Sequence, residues 1–124
     1  MNIIHKNTKT IFESDNNLFC LLTMNPHPVH TNIEYAKKAH HRKILVVGTL
    51  VFSLAVGLTV PELSFDAIAN LEYSDIKHIK PVFISDTIRV ESEVQKGEKI
   101  WLVNSTVYNQ HDQIVLTFSR KILK

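Results

Sequence analysis

Seventeen consecutive residues without a charge, Ile44 to Val60, constrain this sequence more than any other feature. Lys43 precedes the run, and Pro61 and Glu62 follow it. That length sits at the lower limit of a membrane span, about 17–25 residues. Gly48, Thr49, Ser53, Gly57 and Thr59 interrupt it with small and polar side chains. A helix that is apolar all round is also what a soluble core wraps on every side. The expectation is a helix from Val46 or Val47 to about Thr59, ended by Pro61 and buried on all faces, with no membrane association.

After Pro61 the pattern changes from run to alternation. Ala67 to Tyr73 reads as a strand, and Pro81 marks a bend or an edge. From Asp86 to Val94, Ile88, Val90 and Val94 fall on one face and Thr87, Arg89, Glu91 and Glu93 on the other. Lys96-Gly97-Glu98 and Asn109–Asp112 read as turns. Ile100 to Tyr108 is apolar on both faces and reads as central, and Ile114 to Leu123 as the last strand. A long helix before hairpin-linked antiparallel strands is an α+β pattern: one sheet packed on the helix, in a single domain over residues 1–124.

Before the long helix, Thr8 to Phe12 reads as a short strand. A helix capped by Ser14 or Asp15 is expected to run to about Leu22. Pro26 and Pro28 then hold Asn25 and His27 extended and stiffen the segment Thr23 to His30. Thr31 or Asn32 caps a short helix from Ile33 to about His40.

That proline loop carries the candidate chemistry. His30 suits acid–base work, because an imidazole both takes and gives a proton near neutral pH. The alternative is a histidine that only hydrogen-bonds within its loop. His27 and His30 lack a second pair at ligand spacing, so no metal site is expected. Gly48 is either a close-packing point or a backbone N–H at a helix start aimed at an oxyanion.

The net charge of +2 gives no footprint for nucleic acid. The short cluster His40-His41-Arg42-Lys43 reads as a solvated helix end or as a docking point for a ligand phosphate. Cys20 is the only cysteine, so a disulfide within the chain is impossible and a reducing, cytoplasmic setting is expected. It sits in an apolar patch and reads as an inert thiol. Met1 to Lys9 is polar, unlike a signal peptide. Serine-nucleophile and glycine-rich phosphate motifs are both missing.

The run Thr23-Met24-Asn25-Pro26-His27-Pro28-Val29-His30 resembles the hydratase motif of MaoC-like hot-dog proteins, Ser/Thr-Gly-Asp-x-Asn-Pro-x-His. Tyr35-Ala36 and Val47-Gly48-Thr49-Leu50 are similar to that family's Tyr-Ala and His-Gly-Met-Leu. Lys80-Pro81-Val82-Phe83-Ile84-Ser85-Asp86-Thr87-Ile88 resembles its Pro-Val-x-x-Gly-Asp-Thr-Leu. The run Leu21 to Asn25 also looks like a branch acting on branched or dicarboxylic C5 acyl-CoAs, such as mesaconyl- or itaconyl-CoA.

The resemblance implies a hot-dog fold, a central helix wrapped by a curved antiparallel sheet. It implies a homodimer and reversible addition of water across the 2,3 double bond of an enoyl-CoA. Coenzyme A would be part of the substrate, with no separate cofactor. His30 then matches the catalytic histidine, and Gly48 the glycine whose N–H binds the thioester carbonyl. Asn25 falls where the family has its catalytic aspartate, and an amide cannot accept a proton at neutral pH. Proton transfer would fall to His30, with His27 as a helper. Val47, Thr49 and Phe52 would line the substrate side. The alternatives are a thioesterase on the same fold and a non-catalytic acyl-CoA binder or partner subunit.

Overall fold

Alternation after the apolar run becomes one antiparallel sheet in the computed structural model, which describes residues 1–124. In chain order the elements are β1 (Asn2–Ile4), β2 (Lys9–Thr10), α1 (Glu13–Thr23), a 3-10 turn (Pro28–His30), α2 (Ile33–Lys38) and α3 (Gly48–Thr59). A π turn (Val60–Ser64) leads to β3 (Ala69–His78), β4 (Thr87–Lys96), β5 (Ile100–Tyr108) and β6 (Ile114–Leu123). The sheet order is β1-β4-β5-β6-β3, and β2 also pairs with β4.

The sheet's inner face and α3 form one core. Leu50, Val51 and Ala55 of α3 pack with Ile88 and Val90 of β4, Val107 of β5, and Val115, Leu116 and Phe118 of β6. Each fully buried Val, Leu or Phe contributes roughly 1.5–3 kcal/mol, so this cluster dominates the stability. A second cluster of Leu63, Val94, Val103 and Ile122 sits beneath the π turn. Arg120 is buried among these layers and donates to Thr59 Oγ1 at 2.8 Å and to Asn70. Burial lowers its pKa, since no carboxylate faces it to offset desolvation.

Several expectations are corrected. The apolar helix is not covered on every face: Thr49, Ser53 and Gly57, four residues apart, form an exposed stripe along α3. The α-helix does end at Thr59 ahead of Pro61, as expected, but the coil runs on as a π turn, where a missing N–H is tolerated. The strand expected over Ala67–Tyr73 starts later and runs on to His78, held by its pairing with β6. Helix α1 begins one residue before Ser14. Asp15 reaches back to accept the Phe12 N–H at 2.9 Å and Lys9 Nζ at 2.8 Å. His27 is extended before Pro28, as expected, but Pro28 itself starts a 3-10 turn, where its fixed φ suits the first position. No helix is long and apolar enough to cross a membrane.

Candidate active site

The loop after α1 is held by its own polar atoms. Met24 closes α1 in the left-handed region, φ 58°. Asn25 Oδ1 accepts the His27 N–H at 3.1 Å, so the amide is folded onto its own loop. His27 Nδ1 accepts the Val29 N–H at 3.1 Å and caps the 3-10 turn. The His27 ring stands edge-on to His30 and to Tyr35, with centroids 6.0 and 5.8 Å apart.

His30 ends that turn with its ring nitrogen Nδ1 2.7 Å from the Leu45 carbonyl oxygen. A carbonyl only accepts, so Nδ1 carries the hydrogen. In the neutral ring Nε2 is then left with its lone pair, free to take a proton. The segment receiving this bond is itself pinned. Leu45 N donates to Val29 O at 3.1 Å and Val46 N to Val82 O at 2.9 Å.

Asn16, on α1 and fully buried, ties these pieces together. Its Nδ2 donates to the His30 carbonyl at 2.9 Å and to the Leu45 carbonyl at 3.3 Å. Its Oδ1 accepts the Val47 N–H at 3.0 Å. One amide thus joins the histidine loop, the Leu45 segment and the residue before α3. Sequence reasoning missed it; Asp15-Asn16 looks like ordinary helix-start chemistry.

The first turn of α3 offers donors. Leu50 and Val51 N–H groups bond back to Val47 O, whereas those of Gly48 and Thr49 have no acceptor in the chain. A helix start leaves such groups free by construction. They carry the positive end of the helix dipole, which suits developing negative charge.

His30 and Gly48 line one cavity of about 290 Å³, with His41, His78 and Lys80 also on its wall. No carboxylate lines it. Asn25, His27, Val47, Thr49 and Phe52 do not line it. Val47 is buried in the main core, and Phe52 packs edge-on to Tyr73 and Phe118 at 5.2 and 5.0 Å between centroids. His78 went unnoticed in the sequence, since it ends a strand thirty residues beyond Gly48.

A second polar chain has the order of a hydrolase triad. His5 Nε2 lies 2.9 Å from Ser92 Oγ, and His5 Nδ1 lies 3.4 Å from Glu62 Oε2. Ser92 and His5 are each 3% exposed, and Ser92 Oγ is also tied to Ser105 Oγ at 2.8 Å. A nucleophile needs access to substrate, and this serine has none. The chain fastens the N-terminal strand to the sheet.

Comparison with known proteins identifies the family and the fold. A family model described as MaoC like domain matches residues 1–114. The chain is 30% identical to mesaconyl-CoA hydratase of Cereibacter sphaeroides, over 98% of this chain and 37% of that protein. It is equally 30% identical to β-methylmalyl-CoA dehydratase of Chloroflexus aurantiacus, over 98% and 36%. The chain thus spans little more than a third of the length of these curated relatives. A solved structure of a monoamine oxidase regulatory protein from Archaeoglobus is 31% identical and superimposes with a TM-score of 0.87, covering 99% of this chain and 87% of that one. The helix wrapped by an antiparallel sheet is the hot-dog fold. With 114 of its 124 residues accounted for by one family description, the chain belongs to the MaoC-like domain family.

Proposed function

We propose that this protein adds water reversibly across the 2,3 double bond of an enoyl-CoA thioester. One observation carries the reading: His30, with Nε2 free, shares a cavity with Gly48, whose N–H at the start of α3 has no acceptor in the chain. Water in that cavity gives a proton to Nε2 as its oxygen bonds to C3. The π electrons move toward C1, and the thioester oxygen gains negative charge. The Gly48 N–H stabilises that enolate. His30 then returns the proton to C2 and the carbonyl re-forms. Asn25, its Oδ1 engaged by His27, shapes the loop and leaves proton transfer to His30.

A branched, dicarboxylic acyl group is the favoured substrate class. The support is twofold: both curated relatives are named for C5 acyl-CoA chemistry, and Lys80 and His41 give the cavity a basic wall. The absence of a carboxylate from the wall weighs against the thioesterase reading, in which an acid would activate the hydrolytic water.

A homodimer fits the same picture. Strand β3 is a ten-residue edge that exposes Leu71, Tyr73 and Ile76, and α3 exposes its stripe of small residues. Long apolar edges of this kind pair with another chain. A cytoplasmic setting fits the lone cysteine, whose thiol burial pushes up and makes less reactive.

The test is direct. The purified protein is mixed with crotonyl-, mesaconyl- and itaconyl-CoA, and the conjugated thioester absorbance is followed beside a thiol-reactive dye. Loss of absorbance without free thiol is expected. Thiol release would favour the thioesterase, and binding without either change would favour an acyl-CoA binder.

A further inference from the structure

Gly48 has a neighbour that explains why it carries no side chain. A Cβ built there would lie 2.9 Å from His78 Cε1 and 3.2 Å from His78 Nε2. The Cε1 corner of an imidazole, flanked by Nε2 at 3.2 Å and Nδ1 at 3.4 Å from that Cβ, therefore occupies the space beside the first residue of α3. Any other residue type at position 48 would push the ring aside. His78 ends β3 and is exposed, so burial does not account for its placement. The rings of His5 and His30 are anchored by protein oxygens. His78 has no such anchor, and its ring faces the cavity that His30 and Gly48 line.

Resting on the hydratase reading above, we propose that His78 is a second carbonyl-binding group, donating a ring N–H to the thioester oxygen that the Gly48 N–H also donates to. An imidazole carries at least one N–H in either protonation state, so a donor is always present. Both ring nitrogens flank the Cε1 corner turned to Gly48, so whichever carries the hydrogen lies beside the helix start. As the oxygen of water bonds to C3 and the C2=C3 electrons shift, charge on the thioester oxygen grows. A donor fixed at that oxygen binds the enolate more strongly than the ground-state carbonyl. The bond strengthens during reaction and relaxes when C2 takes from His30 the proton that water gave up. His78 itself neither gains nor loses a proton overall.

The test uses His78→Phe, which fills the same space but cannot donate, and His78→Gln, which keeps an N–H donor. Removing one such donor typically lowers kcat about 10²–10³-fold. The expected result is a loss of that order in His78→Phe with KM little changed, and partial recovery in His78→Gln. The infrared carbonyl stretch of bound crotonyl-CoA supplies a readout that needs no turnover. It should lie at lower frequency in the wild type than in His78→Phe, at matched thermal stability. Equal kcat and equal stretch in wild type and His78→Phe would overturn the proposal. A wild type that lowers the stretch through His78 but never hydrates the substrate would sink the hydratase reading and leave the His78 contact standing.

Discussion

The side-chain amide of Asn16 donates to the backbone carbonyl of His30 at 2.9 Å, from a helix fourteen residues upstream and with no exposure to solvent. The same amide accepts the Val47 N–H just before α3. The His30 loop and the start of α3 are thereby held in register by one buried group. Asn16→Leu removes both partners from the Val47 N–H and the His30 carbonyl. Each buried group left unpaired costs about 1–3 kcal/mol, so urea denaturation should show a clear loss of stability. Asn16→Asp keeps the Val47 bond but turns a carboxylate oxygen toward two carbonyls. Its kcat should fall by more than its stability implies, and circular dichroism with steady-state kinetics separates the two effects.

Lys80 is the lysine on the wall of the His30 cavity. If the natural acyl group carries a second carboxylate, Lys80→Ala should raise KM for mesaconyl-CoA about tenfold, the loss of one charge-assisted hydrogen bond. Crotonyl-CoA, which lacks that carboxylate, should be nearly unaffected. Parallel KM measurements on the two substrates decide the point.

Met24 and Ser85 stand where the family motifs carry glycine, and both keep the left-handed backbone, with φ of 58° and 76°. A side chain in that region costs roughly 1–2 kcal/mol. Glycine returns part of this as extra freedom in the unfolded chain, about 0.5–1 kcal/mol. Met24→Gly should therefore stabilise the protein by about 0.5–1 kcal/mol, raising Tm by a few degrees in a calorimetric scan. Met24 is exposed, so little packing is lost.

Glu62 receives the Lys6 N–H at 2.7 Å and faces the His5 ring, and its carboxyl is held below the ordinary value of 4.5, chiefly by the backbone bond from Lys6. A depressed carboxyl in the folded state contributes stability that is present above the unfolded value and lost as pH falls through the folded one. Glu62→Gln should be less stable than wild type at pH 7, and the gap should close as pH drops below 4.5. Denaturation midpoints of both proteins across that window test the sign.

Legibility in the sequence followed the range of the interaction. The span Ile44–Val60 announces α3 because its composition is a local property, and Ile88, Val90 and Val94 announce β4 by simple alternation. The extent of β3 was not visible, because an edge strand with one open face owes its length to β6 rather than to its own pattern. Apolar composition also does not separate a face that meets the core from one left open, so the exposed stripe of Thr49, Ser53 and Gly57 could not be foreseen. At the site, motif spacing pointed to His30 and Gly48, which line one cavity. Asn16 and His78 act through contacts with segments about thirty residues away, which only the fold brings together. Phe52 shows the converse: an aromatic residue on the right helix that turns to Tyr73 and Phe118 instead of the cavity.

Replacement of one imidazole tests the central assignment most directly. His30→Ala removes the only group in the cavity whose free nitrogen is fixed by a bond at the other side of its ring. Hydration of enoyl-CoA should fall by about 10²–10⁴-fold in kcat, the usual worth of a general acid–base, with the thermal midpoint nearly unchanged. A folded His30→Ala protein that hydrates its substrate at the wild-type rate would contradict the assignment.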